Sequence, residues 1–254
     1  MNNTILHASN IQKSFGGLVA ISNLSFAVHE TKIKAIIGPN GAGKTTIFNL
    51  ITGIFPPNGG AFEFMGTRIT NLKSHIISAM GVSRTFQNVQ LFSNMSVLEN
   101  VMLGRHTRTS CGIMSSIVSM SKKKREERET RERATYYLEI VDLCDRMNEY
   151  PENLPFGKQR LLEIARAIAT EPKLLLLDEP ASGLNTRETQ NLGRLITEIR
   201  DMDITILLVE HDMELVMDIS DEIIVLNSGR KIAEGLPGDI QENDEVIKAY
   251  LGED

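Results

Sequence analysis

Apolar and polar positions divide the chain into three textures. From about Leu6 to Phe64, short apolar runs are punctuated by Gly16-Gly17, Gly38, Gly53 and Gly59-Gly60, which predicts strands joined by turns. The run Lys34-Ala35-Ile36-Ile37 feeds directly into a glycine-rich turn. Thr45 to Leu50 then read as a helix, closed by Gly53 and by Pro56-Pro57, which cannot continue it. From about Asn88 to Ala169 the texture is helical, and residues 121–133 (SKKKREERETRER) carry seven basic and four acidic side chains, several three or four apart as on a solvated helix. From Pro172 onward apolar strands alternate with helices: Leu174–Leu177, Ile204–Val209, Ile223–Leu226, then the turn Asn227-Ser228-Gly229 and a short strand near Lys231–Ala233. Four successive leucines suit a central parallel strand covered on both faces. The pattern predicts one α/β domain over residues 5–250, with a core lobe at 5–87 and 165–250 and a helical subdomain inserted at 88–164.

Composition narrows the picture. The 254 residues are 41% hydrophobic, enough for a substantial core. A formal charge of −6 argues against a nucleic-acid-binding surface. The longest apolar runs, Leu174–Leu177 and Ile204–Val209 (with Thr205 inside it), fall far short of the roughly 20 residues of a membrane-spanning helix. The start, Met1-Asn2-Asn3-Thr4-Ile5-Leu6-His7, has no basic cluster or long apolar stretch, so no signal peptide is expected. Cys111 and Cys144 make no metal pattern and fit a reducing compartment. A soluble cytosolic protein is the expectation.

Residues 38–45, Gly38-Pro39-Asn40-Gly41-Ala42-Gly43-Lys44-Thr45, fit G-x-x-x-x-G-K-[ST] without mismatch. Glycines let successive backbone N–H groups converge on phosphate oxygens where a Cβ would block the dihedrals. The helix starting near Thr45 aims unpaired N–H groups and its positive end at the same anion. Lys44 would neutralise the β- and γ-phosphates and the Thr45 hydroxyl would ligate Mg²⁺.

Asp178 and Glu179 stand at the C-terminal end of the leucine strand, the edge where open parallel sheets bind ligands. Asp178 would hold Mg²⁺ through water, and Glu179 would polarise the water that attacks the γ-phosphate. His211 follows Glu210 after a second apolar strand, where it can hydrogen-bond a phosphate oxygen or anchor the water. His7, His29, His75 and His106 have no comparable placement.

The order of these motifs resembles the ATP-binding cassette family. The likeness is carried by the 38–45 loop, by Gln87 in Arg84-Thr85-Phe86-Gln87, by Leu154-Pro155-Phe156-Gly157-Lys158-Gln159, by the Leu174–Pro180 stretch, by Ser182-Gly183-Leu184-Asn185 and by His211. It covers nearly the whole chain. It implies a P-loop ATPase core, a mixed sheet with flanking helices and antiparallel N-terminal strands, interrupted by a helical subdomain. It also implies an ATP hydrolase that uses Mg²⁺. Phe15 matches the aromatic that stacks on adenine, and Thr46 extends the phosphate-binding loop. Gln87 matches the glutamine that touches the metal and joins core to helical lobe, and His211 the family's switch histidine. Metal ligation is thereby expected at Thr45, Gln87 and Asp178, and catalysis at Glu179, His211 and Gln87.

The family signature L-S-G-G-Q closes the ATP site of a second subunit. Here Leu154, Gly157 and Gln159 remain, while Pro155 and Phe156 replace the Ser and first Gly. Pro155 offers neither hydroxyl nor backbone N–H, although a helix from about Arg160 to Thr170 would still present its N-terminus to an anion. Asn185 stands where many members have Asp.

The Leu-Pro-aromatic-Gly-x-Gln and Ser-Gly-Leu-Asn patterns, the insertion containing Gly104-Arg105-His106, and the ending Val246-Ile247-Lys248-Ala249-Tyr250-Leu251-Gly252 resemble the larger ATP-binding subunit of branched-chain amino-acid importers. That resemblance implies a second cassette subunit, the same or a related chain, and integral membrane permease subunits. It further implies an extracytoplasmic solute-binding protein, and a place on the cytoplasmic face of the membrane. Val89, Leu91, Phe92 and Met95 are candidate permease contacts. Importers of urea or short amides and exporters of lipid or lipopolysaccharide share the same ATP chemistry.

Overall fold

The computed structural model describes residues 3–105 and 120–251. His106, Cys111 and Gly252 lie outside them. In chain order the elements are β1 (Thr4–Phe15), β2 (Leu18–His29), β3 (Ile33–Ile37), α1 (Lys44–Ile51), β4 (Gly59–Phe64), β5 (Thr67–Arg68), α2 (Ser74–Ala79) and β6 (Val82–Arg84). The helical stretch supplies α3 (Val97–Arg105), α4 (Met120–Ile140) and α5 (Phe156–Ile168). The C-terminal part adds β7 (Leu174–Asp178), α6 (Thr186–Asp201), β8 (Thr205–Val209), α7 (Met213–Ile219), β9 (Glu222–Asn227), β10 (Arg230–Gly235), α8 (Pro237–Gln241) and α9 (Asp244–Leu251).

These elements gather into two compact units, one of Met1–Arg84 with Lys173–Asp254, the other of Thr85–Pro172. In the first, a six-stranded sheet has the order β10-β9-β3-β8-β7-β6, and β3 runs parallel to both β8 and β9. β7 and β3 are buried at every residue, as expected of central parallel strands covered on both faces. Side-chain alternation sends Leu174, Leu176, Leu207 and Val209 into one core cluster with Ile47, Phe48 and Ile51 of α1. The same cluster receives Leu6, Ile11, Phe26 and Phe62 from a second, antiparallel sheet ordered β2-β1-β4-β5. The N-terminal strands are not short: β1 and β2 each run 12 residues, because Gly16-Gly17 forms a hairpin turn and register shifts let the ladder continue past each irregularity.

One buried charge sits inside β3. Lys34 is 3% exposed and donates to Glu222 at 2.9 Å and to Glu234 at 2.5 Å, which is how a central strand tolerates a lysine.

The second unit packs α3 against α4 and α5. Gly104 permits the α3–α5 approach, since a Cβ there would lie 2.4 Å from the Arg166 carbonyl oxygen. Asn100, fully buried, donates to the Phe92 and Met95 carbonyls and accepts from the Phe92 N–H, tying down the segment before α3. Burial and the Glu171 charge push the Tyr137 phenol up to about 12. The charged stretch of α4 carries the exposed pairs Arg125–Glu129 and Arg128–Glu132, four residues apart.

Candidate functional site

The C-terminal ends of β3, β7 and β8 bring the first unit's candidate residues together, because parallel strands deliver their following loops to one edge. β3 ends at Ile37 and Gly38 turns the chain with φ +148°. A Cβ at Gly38 would lie 2.1 Å from the Leu226 carbonyl oxygen, so backbone meets backbone there and no side chain fits. Gly43, at φ +103°, is the N-cap of α1, whose first residue is Lys44. The Ala42 carbonyl accepts from Gly229 N–H at 3.0 Å, which braces the loop on the β9–β10 turn. Pro39 is half-buried and Asn40, Gly41 and Thr45 are exposed, with Thr46 half-buried behind them.

The Lys44 ammonium donates to the Gly38 carbonyl at 2.7 Å and the Pro39 carbonyl at 3.1 Å. It therefore lies over the loop whose phosphate it would neutralise. Burial lowers its pKa, opposed by the negative charges of Glu179 and Asp178. Those opposing charges place both carboxylates within electrostatic reach of the loop.

Asp178 closes β7 at 1% exposure, and Arg84 donates to its Oδ2 at 2.7 Å. The same guanidinium donates to Asn49 Oδ1 at 2.7 Å and lies 5.4 Å over the Phe48 ring, so it joins α1 to β7. Glu179 follows at φ +48°, a conformation unusual for a side-chain-bearing residue, held by its N–H donating to the Val209 carbonyl at 2.8 Å. His211 Nδ1 is 3.8 Å from Glu179 Oε2 and 3.8 Å from Glu210 Oε2, too far for direct hydrogen bonds. Its side chain is 58% exposed, open to a ligand at this edge.

Phe15 ends β1, 43% exposed, and meets Phe55 edge-on at 5.5 Å. Lys13 Nζ lies 5.0 Å from the Phe15 centroid. The exposed ring is a surface on which a planar base can stack.

In the second unit, the Gln87 carbonyl accepts from Arg160 at 2.7 Å, and the Phe86 carbonyl accepts from the same guanidinium at 2.7 Å. Arg160 pairs with Glu163 at 3.1 Å, both almost fully buried, and Glu163 accepts from the Phe86 N–H. Burial raises the Glu163 pKa against the pull of these partners. The helix carrying the signature begins at Phe156 rather than near Arg160, with Pro155 as its N-cap. A proline before the first turn needs no N–H there, so the helix starts earlier and Gly157 and Gln159 fall within its first turn. Gln159 is turned back, donating to the Leu154 carbonyl at 2.9 Å, and Leu154 is buried. Of the candidate permease contacts, Phe92 is exposed beside Arg166, while Val89, Leu91 and Met95 are half-buried. Asn185 caps α6 through a reciprocal capping box with Glu188.

The chemistry available is concrete. A loop of backbone N–H groups and a lysine can hold phosphates. The donor set of Thr45 hydroxyl and Asp178 carboxylate suits a hard, oxygen-seeking divalent cation shared with phosphate oxygens. Sequence reasoning missed Arg84, Arg160 and Glu163 as supports, and Glu210 as more than His211's neighbour. Only the i, i+3 spacing of Arg160 and Glu163 offered a signal.

Residues 21–182 match the family model described as ABC transporter, and residues 230–254 match one described as branched-chain amino acid ATP-binding cassette transporter. The chain is 45% identical to the high-affinity branched-chain amino acid transport ATP-binding protein BraF of Pseudomonas aeruginosa over 254 residues, covering 100% of both. It is 44% identical to the corresponding protein LivG of Escherichia coli, again over the full length of both chains. A nucleotide-free ATP-binding cassette from an ABC transporter superposes with a TM-score of 0.86 at 31% identity, covering 98% of this chain and 100% of that one. A cassette in its ADP conformation gives 0.84 at 30% identity, covering 98% and 99%. With the phosphate loop, the strand-end carboxylates and the histidine at one sheet edge, the chain belongs to the ATP-binding cassette transporter family and is a nucleotide-binding ATPase subunit.

Proposed function

We propose that this chain binds and hydrolyses ATP to drive an importer of branched-chain or related amino acids, working on the cytoplasmic face of the membrane. The convergence of Lys44, Asp178, Glu179 and His211 at one sheet edge carries the reading, because these groups can hold a triphosphate and activate water beside it. The names of the full-length relatives and the match over 230–254 support the solute class.

In this reading Phe15 stacks on the adenine, and Gly38 to Thr46 cradle the phosphates. Thr45, Asp178 and Gln87 would hold Mg²⁺, which would supply charge neutralisation to the bound phosphates. Lys44 shifts from the loop carbonyls to the phosphate oxygens. Glu179 orients the attacking water and takes its proton, and His211 donates to the γ-phosphate or to that water. Leu154, Gly157 and Gln159 serve the ATP site of a partner cassette. ATP thereby favours a closed pair of subunits and hydrolysis releases it, a population shift by a ligand that binds the closed state better. Membrane permease subunits, fed by a solute-binding protein, would use that motion.

The test combines phosphate release with solution mass. Wild-type chain should release phosphate from Mg-ATP. Glu179→Gln should bind ATP, release almost none, and shift to twice the monomer mass with ATP. Binding without a mass shift would point to a heterodimer with a second cassette, whereas undiminished phosphate release by Glu179→Gln would remove Glu179 from its role. Uptake of leucine, against urea, by the chain assembled with its permease decides the solute class.

A further inference from the structure

Glu210 is fully buried and has no part in the hydrolysis scheme above. A carboxylate in such a place carries a large desolvation cost, and burial does raise its pKa against the N–H groups that surround it. Its two oxygens are divided between two loops. Oε1 accepts from the Ala181 N–H at 2.7 Å, in the turn that follows Glu179. Oε2 accepts from the His211 N–H at 2.9 Å and the Asp212 N–H at 3.3 Å.

Both loops carry further hydrogen bonds around these contacts. The Glu179 carbonyl accepts from Ser182 N–H at 3.1 Å and the Ala181 carbonyl from Leu184 N–H at 3.0 Å. Asp212 caps α7 by accepting from the Leu215 N–H at 3.0 Å. His211 Nδ1 and Glu179 Oε2 are 3.8 Å apart, within reach of a charge interaction but too far for a hydrogen bond to set their spacing. A group with acceptors on two arms and no donor is chemically matched to three converging N–H groups. A neutral side chain such as Gln would present an NH₂ to donors on one arm.

We propose that Glu210 is a positioning residue for hydrolysis: it clamps the turn after Glu179 to the backbone of His211 and so sets the gap between the water-activating carboxylate and the histidine. The inference rests on the proposed roles of Glu179 and His211. It assigns Glu210 an effect on the hydrolytic step and none on ATP capture, because the carboxylate's hydrogen bonds go to Ala181, His211 and Asp212 and not to the 38–45 loop.

The experiment is a double-mutant cycle on the full chain, read by hydrolysis rate and by ATP affinity in Mg-ATP titrations. Glu210→Gln should lower kcat about tenfold, the size expected when a hydrogen bond to a charged group is lost, with KM and ATP affinity changed less than about twofold. In a His211→Ala background the same substitution should cost less than about twofold, because the two residues act as one unit. Amide exchange at Ala181 should rise in Glu210→Gln. Equal losses in both backgrounds, or a fall in ATP affinity matching the fall in rate, would overturn the clamp. Glu210→Asp, which keeps the charge but withdraws it from one loop, should behave like Glu210→Gln and replaces it if that variant does not fold. Failure of both to fold would make Glu210 a folding residue and equally overturn the assignment. If His211→Ala hydrolyses at the wild-type rate, it is the underlying role of His211 that fails.

Discussion

Replacing Arg84 with leucine tests whether the ion pair beneath the phosphate loop is a structural keystone. The Arg84 and Asp178 side chains are 6% and 1% exposed and meet at 2.7 Å. Leucine fills much of the arginine's volume and can rest on Phe48, so little packing is lost. The charge is another matter. Asp178 keeps its carboxylate in a place from which water is excluded, now without the Arg84 guanidinium, and Asn49 loses a donor. Removing one partner of a buried pair costs about 3–5 kcal/mol, most of it the penalty on the charge left behind. At about 2–4 °C per kcal/mol for a chain of this size, the nucleotide-free protein should melt about 6–20 °C lower by circular dichroism at pH 7. The decisive control is Asp178→Asn. Once the carboxylate is neutral, Arg84→Leu should cost far less, giving a coupling of at least about 2 kcal/mol. A fall under about 3 °C in the wild-type background, or equal falls in both, would show that the pair is not what stabilises this region.

Three further outcomes follow from the geometry. Gly38→Ala should abolish nucleotide binding by calorimetry and lower the melting temperature, because its Cβ would press the Leu226 carbonyl at 2.1 Å and the positive φ alone costs on the order of 1–3 kcal/mol. Phe15→Ala should weaken ATP about 2- to 10-fold, the worth of one aromatic stacking contact, while leaving tripolyphosphate binding unchanged; equal losses for both ligands would refute a base-stacking role. Glu234 tests the buried Lys34. Burial acts to raise the Glu234 pKa, but hydrogen bonds and charges from Lys231 and Lys34 outweigh it and hold it below its ordinary 4.5. A depressed carboxylate stabilises the fold above its unfolded pKa and loses that contribution as pH falls through its folded value. Glu234→Gln should therefore lower stability at pH 7 and converge with wild type as the pH falls through the depressed folded pKa of Glu234, and a pH-independent difference in urea titrations would contradict the pairing.

What the sequence made legible was local. The phosphate loop, the leucine strand and its two carboxylates are contiguous patterns, and periodicity alone separates a buried parallel strand from a solvated helix such as α4. Boundaries failed where a local rule has two outcomes. Pro155 departs from the signature and the helix after it is expected from about Arg160, yet a proline also suits the position just before a helix, so α5 starts at Phe156. Gly16-Gly17 marked the end of a run, but a hairpin turn lets both flanking strands extend to 12 residues. The supports were invisible for a different reason. Arg84 finds Asp178, Lys34 finds Glu222 and Glu234, and Glu210 finds Ala181 across long stretches of chain. No spacing rule links such partners, because the fold alone brings them together.

The strand order of the six-stranded sheet also has a consequence for synthesis. β3 hydrogen-bonds only to β8 and β9, and β6 pairs with β7. A ribosome must therefore add about 170 residues after β3 before its first partner strand exists, on the order of 10 to 30 s at ordinary rates of elongation. Throughout that interval the apolar residues of β3, and the loop that will bind phosphate, have no sheet to join. The α3–α5 segment, made in between, draws its contacts from its own neighbours and can mature first. Newly made chains should thus pass through a stage with a finished helical unit and an unfinished ATPase core, and it is this stage that would engage chaperones.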